Sequence, residues 1–259
     1  MDMPPNRFLA ALREGRHQLG LWNAIPGPTG VEIAAAAGFD WLVIDGEHGP
    51  IGPHDVLPAL QVVAAYPETS AVVRPAENDP ALIKRLLDMG AQTLLIPMVS
   101  TPGEAAAAVA ATRYAPEGVR GLAGIQRASR WGRVPDYAAR AHEALCVIVQ
   151  VETAGGLGNL EAIAATPGVD GVFVGPADLA ASLGHRADPA HPEVQDAIAG
   201  AIARLRAAGA PAGILATDPA EARARIAAGT AFTAVGIDAM ILARGLGALA
   251  ASMRDAPRG

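Results

Sequence analysis

Glu152 ends the apolar run LCVIVQVE (145–152) and Asp178 ends GVFVGPAD (171–178), so each stands where a buried parallel strand would hand over to its loop. Two carboxylates at neighbouring sheet rims, with no cysteine or histidine spaced to join them, suit a hard divalent cation such as Mg2+ or Mn2+ better than zinc. A third strand end carries DGEH (45–48), two acids and an imidazole within four residues, and His48 offers a general base. The same residues also fit a loop in which Asp45 and Glu47 cap the backbone and His48 is merely exposed. Arg74 follows Ala-Val-Val and precedes Pro75. Its guanidinium would project over the same rim toward a carboxylate or an incipient oxyanion, or else form a surface ion pair. In Gly175-Pro176-Ala177-Asp178, small residues coincide with what reads as the start of a short helix. Gly175, Ala177 and Asp178 would offer backbone N–H groups to a carboxylate, Pro176 would not, and a plain tight turn is the other reading.

Positioning these groups requires strands that end together. Short apolar runs at 19–22, 41–45, 71–74, 93–97, 145–152, 171–175, 211–215 and 232–236 alternate with helical stretches at 29–37, 54–65, 79–89, 102–114, 158–165, 192–208, 219–228 and 240–252. Asn78-Asp79-Pro80 supplies a cap and an early proline for one helix, and Met89-Gly90 supplies its stop. Eight βα repeats predict a single (β/α)8 TIM barrel over 1–259, with a further helix at 7–14 covering its bottom. In that fold the strand ends, including Gln150, Leu215 and Asp238, converge on the C-terminal face, where barrel active sites lie.

The chain has 259 residues, 51% of them hydrophobic, which is ample for one large core. A net charge of −6 leaves no basic surplus to neutralise phosphates, so a nucleic-acid or anionic-membrane partner is not expected. The lone Cys146 falls inside an apolar run and reads as structural. The N-terminus has an early acid, two prolines and no apolar targeting core, and no segment is long enough to span a bilayer, so a cytoplasmic location is expected.

Two features resemble sites but lack the context. Gly155-Gly-Leu-Gly158 has Glu161 where the third glycine of a dinucleotide fingerprint belongs, and no nucleotide cofactor is expected. Lys84, the only lysine, sits mid-helix in 79–89 on the outside of a barrel, which argues against Schiff-base chemistry and moves carbon–carbon bond chemistry toward a metal. The connection 115–135 carries Arg120, Arg127, Arg130, Arg133 and Trp131, and its length reads as a lid, a binding loop, an intersubunit contact or a solvated surface loop.

The segments FDWLVIDGEH (39–48), VRP (73–75), TLLIPM (93–98), RASRW (127–131), QVE (150–152) and GVDGVFVGPAD (168–178) resemble, in order and over nearly the whole chain, the hydroxy-oxo-heptanedioate aldolase family of metal-dependent pyruvate aldolases. The resemblance implies that Glu152 and Asp178 ligate a divalent metal (Mg2+, Mn2+ or Co2+) to which pyruvate binds. It also implies that Arg74 meets the keto oxygen and that Gln150 and the turn 175–178 hold the carboxylate. His48 would be the base, supported by Asp45 and Asp88. It further implies a homo-hexamer, a trimer of dimers, with sites completed by a neighbour, an exchanged C-terminal helix and interfaces at 120–133 and 240–252.

The expected function is reversible cleavage of a 4-hydroxy-2-oxo acid to pyruvate and a small aldehyde, with Leu215 in a permissive aldehyde pocket. Two other functions fit the same scaffold. An acyl-CoA lyase of the malyl-CoA or citryl-CoA type would need the arginines of 120–133 for nucleotide phosphates, and a non-catalytic oxo-acid binding protein would keep the metal site alone.

Overall fold

A computed structural model describes residues 1–254. Eight parallel strands close into a barrel in sequence order: β1 (Gln18–Asn23), β2 (Trp41–Asp45), β3 (Ser70–Arg74), β4 (Thr93–Ile96), β5 (Cys146–Val151), β6 (Gly171–Val174), β7 (Ala212–Leu215) and β8 (Phe232–Ile237). Around and between them run α1 (Arg7–Arg13), α2 (Pro28–Ala36), α3 (Pro53–Val63), α4 (Pro80–Asp88), α5 (Pro102–Thr112), α6 (Tyr137–Arg140), α7 (Ala154–Gly158), α8 (Leu160–Ala164), α9 (Pro176–Ser182), α10 (Pro192–Ala207), α11 (Pro219–Ala228) and α12 (Asp238–Arg254). The eight strand positions expected from the apolar runs are all occupied. The helix expected at 158–165 is instead the pair α7 and α8, because Thr153 accepts from Gly156 N–H and starts a helix four residues early. Asp79 caps α4 by accepting from the N–H groups of Ala81 and Leu82, and Gly90, at φ +97°, ends it as anticipated.

Alternation along each strand divides the core in two. Leu42, Ile44, Val73, Val147, Val149, Val172 and Val174 face outward into the layer between sheet and helices. Trp41, Val43, Val72, Cys146, Ile148, Phe173 and Phe232 fill the barrel interior. Helix α1 closes the bottom: Asn6 caps it and also bonds to Gln92 O, Thr93 Oγ1 and Ala144 O. Phe8 then inserts edge-on between the rings of Trp41 and Phe232, at 5.7 and 5.4 Å. Gly213 leaves the space that the Phe232 ring fills, since a Cβ there would lie 2.0 Å from it.

Helix α12 has no buried residue, and Ile241, Leu242, Leu246, Leu249 and Met253 are exposed along it. Among the described residues no helix is long and apolar enough to cross a membrane. Phe8 is fully buried, so Phe8→Ala should lower unfolding free energy by about 3–5 kcal/mol. Urea unfolding measures this, and a loss below about 1 kcal/mol would place α1 outside the cooperative core.

Candidate active site

The period of two that places Trp41 and Val43 inside the barrel also points Asp45 into its mouth, and it does the same for Arg74 after Val72 and for Gln150 after Ile148. Glu152 and Gly175 continue the inward series just past β5 and β6. Together with Trp22, Ala24, His48, Phe173, Pro176, Ala177, Asp178, Leu215 and Ile237 they line one cavity of about 290 Å³ at the C-terminal end of the strands. A second cleft at the opposite end of the barrel, between residues 3–7 and the segment leading into β5, contains no carboxylate.

Asp45 and Arg74 are paired in strand register and almost fully buried. Arg74 Nε donates to Asp45 Oδ1 at 2.9 Å and Nη2 to Oδ2 at 2.8 Å, a bidentate fork. Trp22 Nε1 donates to Asp45 Oδ2 at 3.0 Å while its ring lies 4.8 Å below the guanidinium carbon. The N–H groups of Glu47 and His48 both donate to Asp45 Oδ1, so this carboxylate also shapes the loop that presents the imidazole. Burial works to raise the Asp45 pKa, but the hydrogen bonds and charge of Arg74, helped by Trp22 and the loop N–H, outweigh it and hold Asp45 below the usual carboxylate value. Glu47 Oε2 is ion-paired with Arg74 Nη1 at 2.5 Å but accepts no hydrogen bond. Its pKa is raised, first by burial and then by Asp45 and Asp178, against the pull of Arg74 and His48.

Glu152 is 1% exposed. Its Oε1 accepts from Met98 N–H at 2.8 Å and its Oε2 from Gln150 Nε2. Burial pushes its pKa up to about 7, reinforced by the charges of Asp178 and Glu47 and opposed by those two hydrogen bonds. Gly175 is required here for space rather than for φ, because a Cβ would fall 2.3 Å from Glu152 Oε2 and 2.9 Å from Gln150 Nε2. Its N–H is committed to Val151 O at 3.1 Å, which corrects the expectation that it is a free donor. The N–H groups of Ala177 and Asp178, in the first turn of α9, remain as orphan helix donors facing the cavity. All-oxygen donors, the repulsion between Glu152, Asp178 and Glu47, and the unpartnered Gln150 Oε1 fit a hard divalent cation.

Of the residues singled out from sequence, Asp45, His48, Arg74, Gln150, Glu152, Gly175, Pro176, Ala177, Asp178 and Leu215 meet at this cavity. Asp88 does not: at the end of α4 it takes Arg120 Nη2 at 2.7 Å, and Arg120 is itself buried over the Tyr114 ring. Lys84 lies on α4, outside the cavity. The arginine-rich connection is anchored rather than a freely solvated loop, with Arg127 donating to Met89 O and Leu60 O. That leaves Arg130 and Arg133 for the phosphates an acyl-CoA substrate would bring. Trp22 and Met98 went unnoticed in the sequence. Trp22 was detectable as an inward residue near the end of β1, whereas the left-handed backbone at Met98, φ 55°, carries no sequence signal.

The family model described as HpcH/HpaI aldolase/citrate lyase matches residues 18–244. A pyruvate aldolase of Rhizobium etli is 57% identical over 251 residues, spanning 97% of this chain and 98% of the relative. A 4-hydroxy-2-oxo-heptane-1,7-dioate aldolase of Salmonella dublin is 53% identical over 247 residues, covering 95% and 94% respectively. Among solved structures, an HpcH/HpaI aldolase/citrate lyase family protein from Burkholderia cenocepacia superposes with a TM-score of 0.92 at 43% identity, covering 96% of this chain and all of that one. On matches that span the whole barrel, the chain belongs to the HpcH/HpaI aldolase/citrate lyase family of carbon–carbon lyases.

Proposed function

We propose that this protein is a divalent-metal-dependent aldolase that reversibly splits a 4-hydroxy-2-oxo acid into pyruvate and an aldehyde. The observation that carries the reading is Glu152, buried at the cavity floor with a raised pKa and sharing that cavity with Asp178 and the cation Arg74. Glu152 and Asp178 would hold the metal, and Mg2+, Mn2+ and Co2+ all match such oxygen donors. A bound divalent ion supplies Lewis-acid stabilisation of the charge that grows on the pyruvate keto oxygen when the C3–C4 bond breaks.

The chain's own residues supply the rest. Gln150 and the N–H groups of Ala177 and Asp178 orient the substrate carboxylate. Arg74, fixed by the Asp45 fork, bears on the keto oxygen, a preorganised donor of the kind worth about 3 kcal/mol. His48 takes the proton from the C4 hydroxyl as the aldehyde forms and returns it in the condensation direction, a role typically worth roughly 10²–10⁴-fold. Trp22, Phe173, Leu215 and Ile237 form an apolar wall that accepts the aldehyde portion. Asp88 stands outside this cavity and is bonded to Arg120, which leaves it no part in this chain's own site, and the uncovered apolar residues of α12 support association with further copies.

Exhaustive chelation should abolish turnover, and Glu152→Gln should lower metal affinity and activity together. Full activity in stripped enzyme would refute the metal role. Because a cation must displace the proton that Glu152 holds below about 7, apparent metal affinity should fall about tenfold per pH unit below that value and level off above it. Metal titrations over roughly pH 5 to 8 test this, and a flat profile would remove Glu152 from the ligand set. Light scattering should give about six times the 26.3 kDa chain mass, and Leu242→Glu with Leu246→Glu should reduce it. A monodisperse wild-type monomer would overturn the assembly.

A further inference from the structure

We infer a second metal site, remote from the barrel mouth, in which His185, His191 and Glu193 bind zinc. The three side chains lie where α9 turns into α10, and one donor atom from each falls within 4.8 Å of the others. His185 Nε2 is 2.8 Å from Glu193 Oε2. The imidazole of His191 stacks on that of His185, with centroids 3.5 Å apart and planes 13° from parallel, which keeps a third donor beside the pair.

The backbone holds this arrangement. Gly184, at φ +90°, ends α9, and His185 N–H returns to Ala180 O at 2.8 Å. Asp188 N–H donates to His185 O and His191 N–H to Asp188 O, so consecutive turns carry one ring onto the other. Gln195 Nε2 ties the loop to α10 through Pro189 O at 2.7 Å. Both imidazoles are only partly exposed, while the carboxylate is open to solvent.

Two imidazoles and a carboxylate form a zinc donor set that leaves the fourth position to water. Donors at 2.0–2.1 Å from a tetrahedral ion sit roughly 3.3 Å apart, so binding requires the two rings to rotate out of their stack until donors now within 4.8 Å converge on the ion. His191 Nδ1 is engaged by Glu193 N–H at 3.3 Å, a long bond that yields readily to a cation. Nitrogen donors separate this site from the oxygen site at the mouth, which favours harder ions. Occupancy would staple the end of α9, the helix that carries Asp178, to the start of α10.

The test is zinc titration of stripped full-length protein against a chromophoric chelator. Glu152→Gln with Asp178→Asn removes the oxygen ligands, and this variant is expected to keep one zinc per chain with imidazole scattering in its X-ray absorption spectrum. Adding His185→Ala or Glu193→Gln should weaken that zinc by more than the roughly 10–100-fold typical of losing an outer hydrogen-bond partner. His191 caps α10 and is left intact. In otherwise wild-type protein the His185→Ala change should remove one zinc equivalent and the imidazole signal, which guards against misfolding of the multiple variant. Failure of the oxygen site to bind any ion would leave these results unchanged, so the two readings are separable. No zinc in the Glu152→Gln, Asp178→Asn protein, or a zinc indifferent to His185→Ala, overturns the proposal.

Discussion

The carboxylates of Asp45, Glu47, Glu152 and Asp178 gather at one cavity mouth, and Arg74 is the only arginine or lysine in its lining. The strong fork to Asp45 uses most of that cation, so the negative charge on the opposite wall is left with little internal compensation. Raising a buried carboxyl from its ordinary value to about 7 corresponds to about 3 kcal/mol against the charged form. The fold bears this imbalance because the strands beneath are packed on both faces, outward against helices and inward against the aromatic layers from Phe173 down to Phe8. Removing Arg74 alone would strand Asp45 as a buried charge. The pair is therefore better read as a fixed platform for catalysis than as a source of stability.

Precision at the opposite wall comes from close approach and local backbone strain. Glu152 is aimed by two donors, one of them the N–H of Met98, whose left-handed conformation costs about 1–3 kcal/mol in a non-glycine residue. Gly175 admits the Glu152 and Gln150 side chains to the space beside β6. A larger residue at 175 would push the carboxylate out of position even if the barrel still formed, so this glycine is set by the site rather than by a turn.

The legible parts of the molecule are those governed by short periodicities. Alternation within Trp41–Asp45 and Cys146–Val151 both predicts strands and selects which residues face the mouth, so one pattern gave the barrel and most of its lining. What escaped depends on contacts distant in sequence. Trp22 matters because its Nε1 meets an acid 23 residues later. Gly175 is no free donor because its N–H goes to the neighbouring strand, a pairing that local sequence does not encode. Asp88, placed beside His48 by the family resemblance alone, instead meets buried Arg120, which the anchored connection after α5 brings against it across 32 residues. The stacking of His185 on His191 likewise depends on turns that period counting does not describe.

The cavity's two walls differ in a way that bears on substrate range. On the proposed reading Asp45, Arg74, Gln150, Glu152 and Asp178 would fix the part common to every 2-oxo acid, where a misplaced group loses hydrogen bonds to buried polar atoms and discrimination is steep. Phe173, Leu215, Ile237 and the Trp22 ring add apolar surface to the same cavity, on which one methylene changes binding by about 1–3 kcal/mol. A hydrogen-bonded polar set beside permissive apolar surface would let the acceptor vary while the nucleophile stays the same. A side chain that introduces a charge beside Leu215 is then the kind of change that would narrow the range.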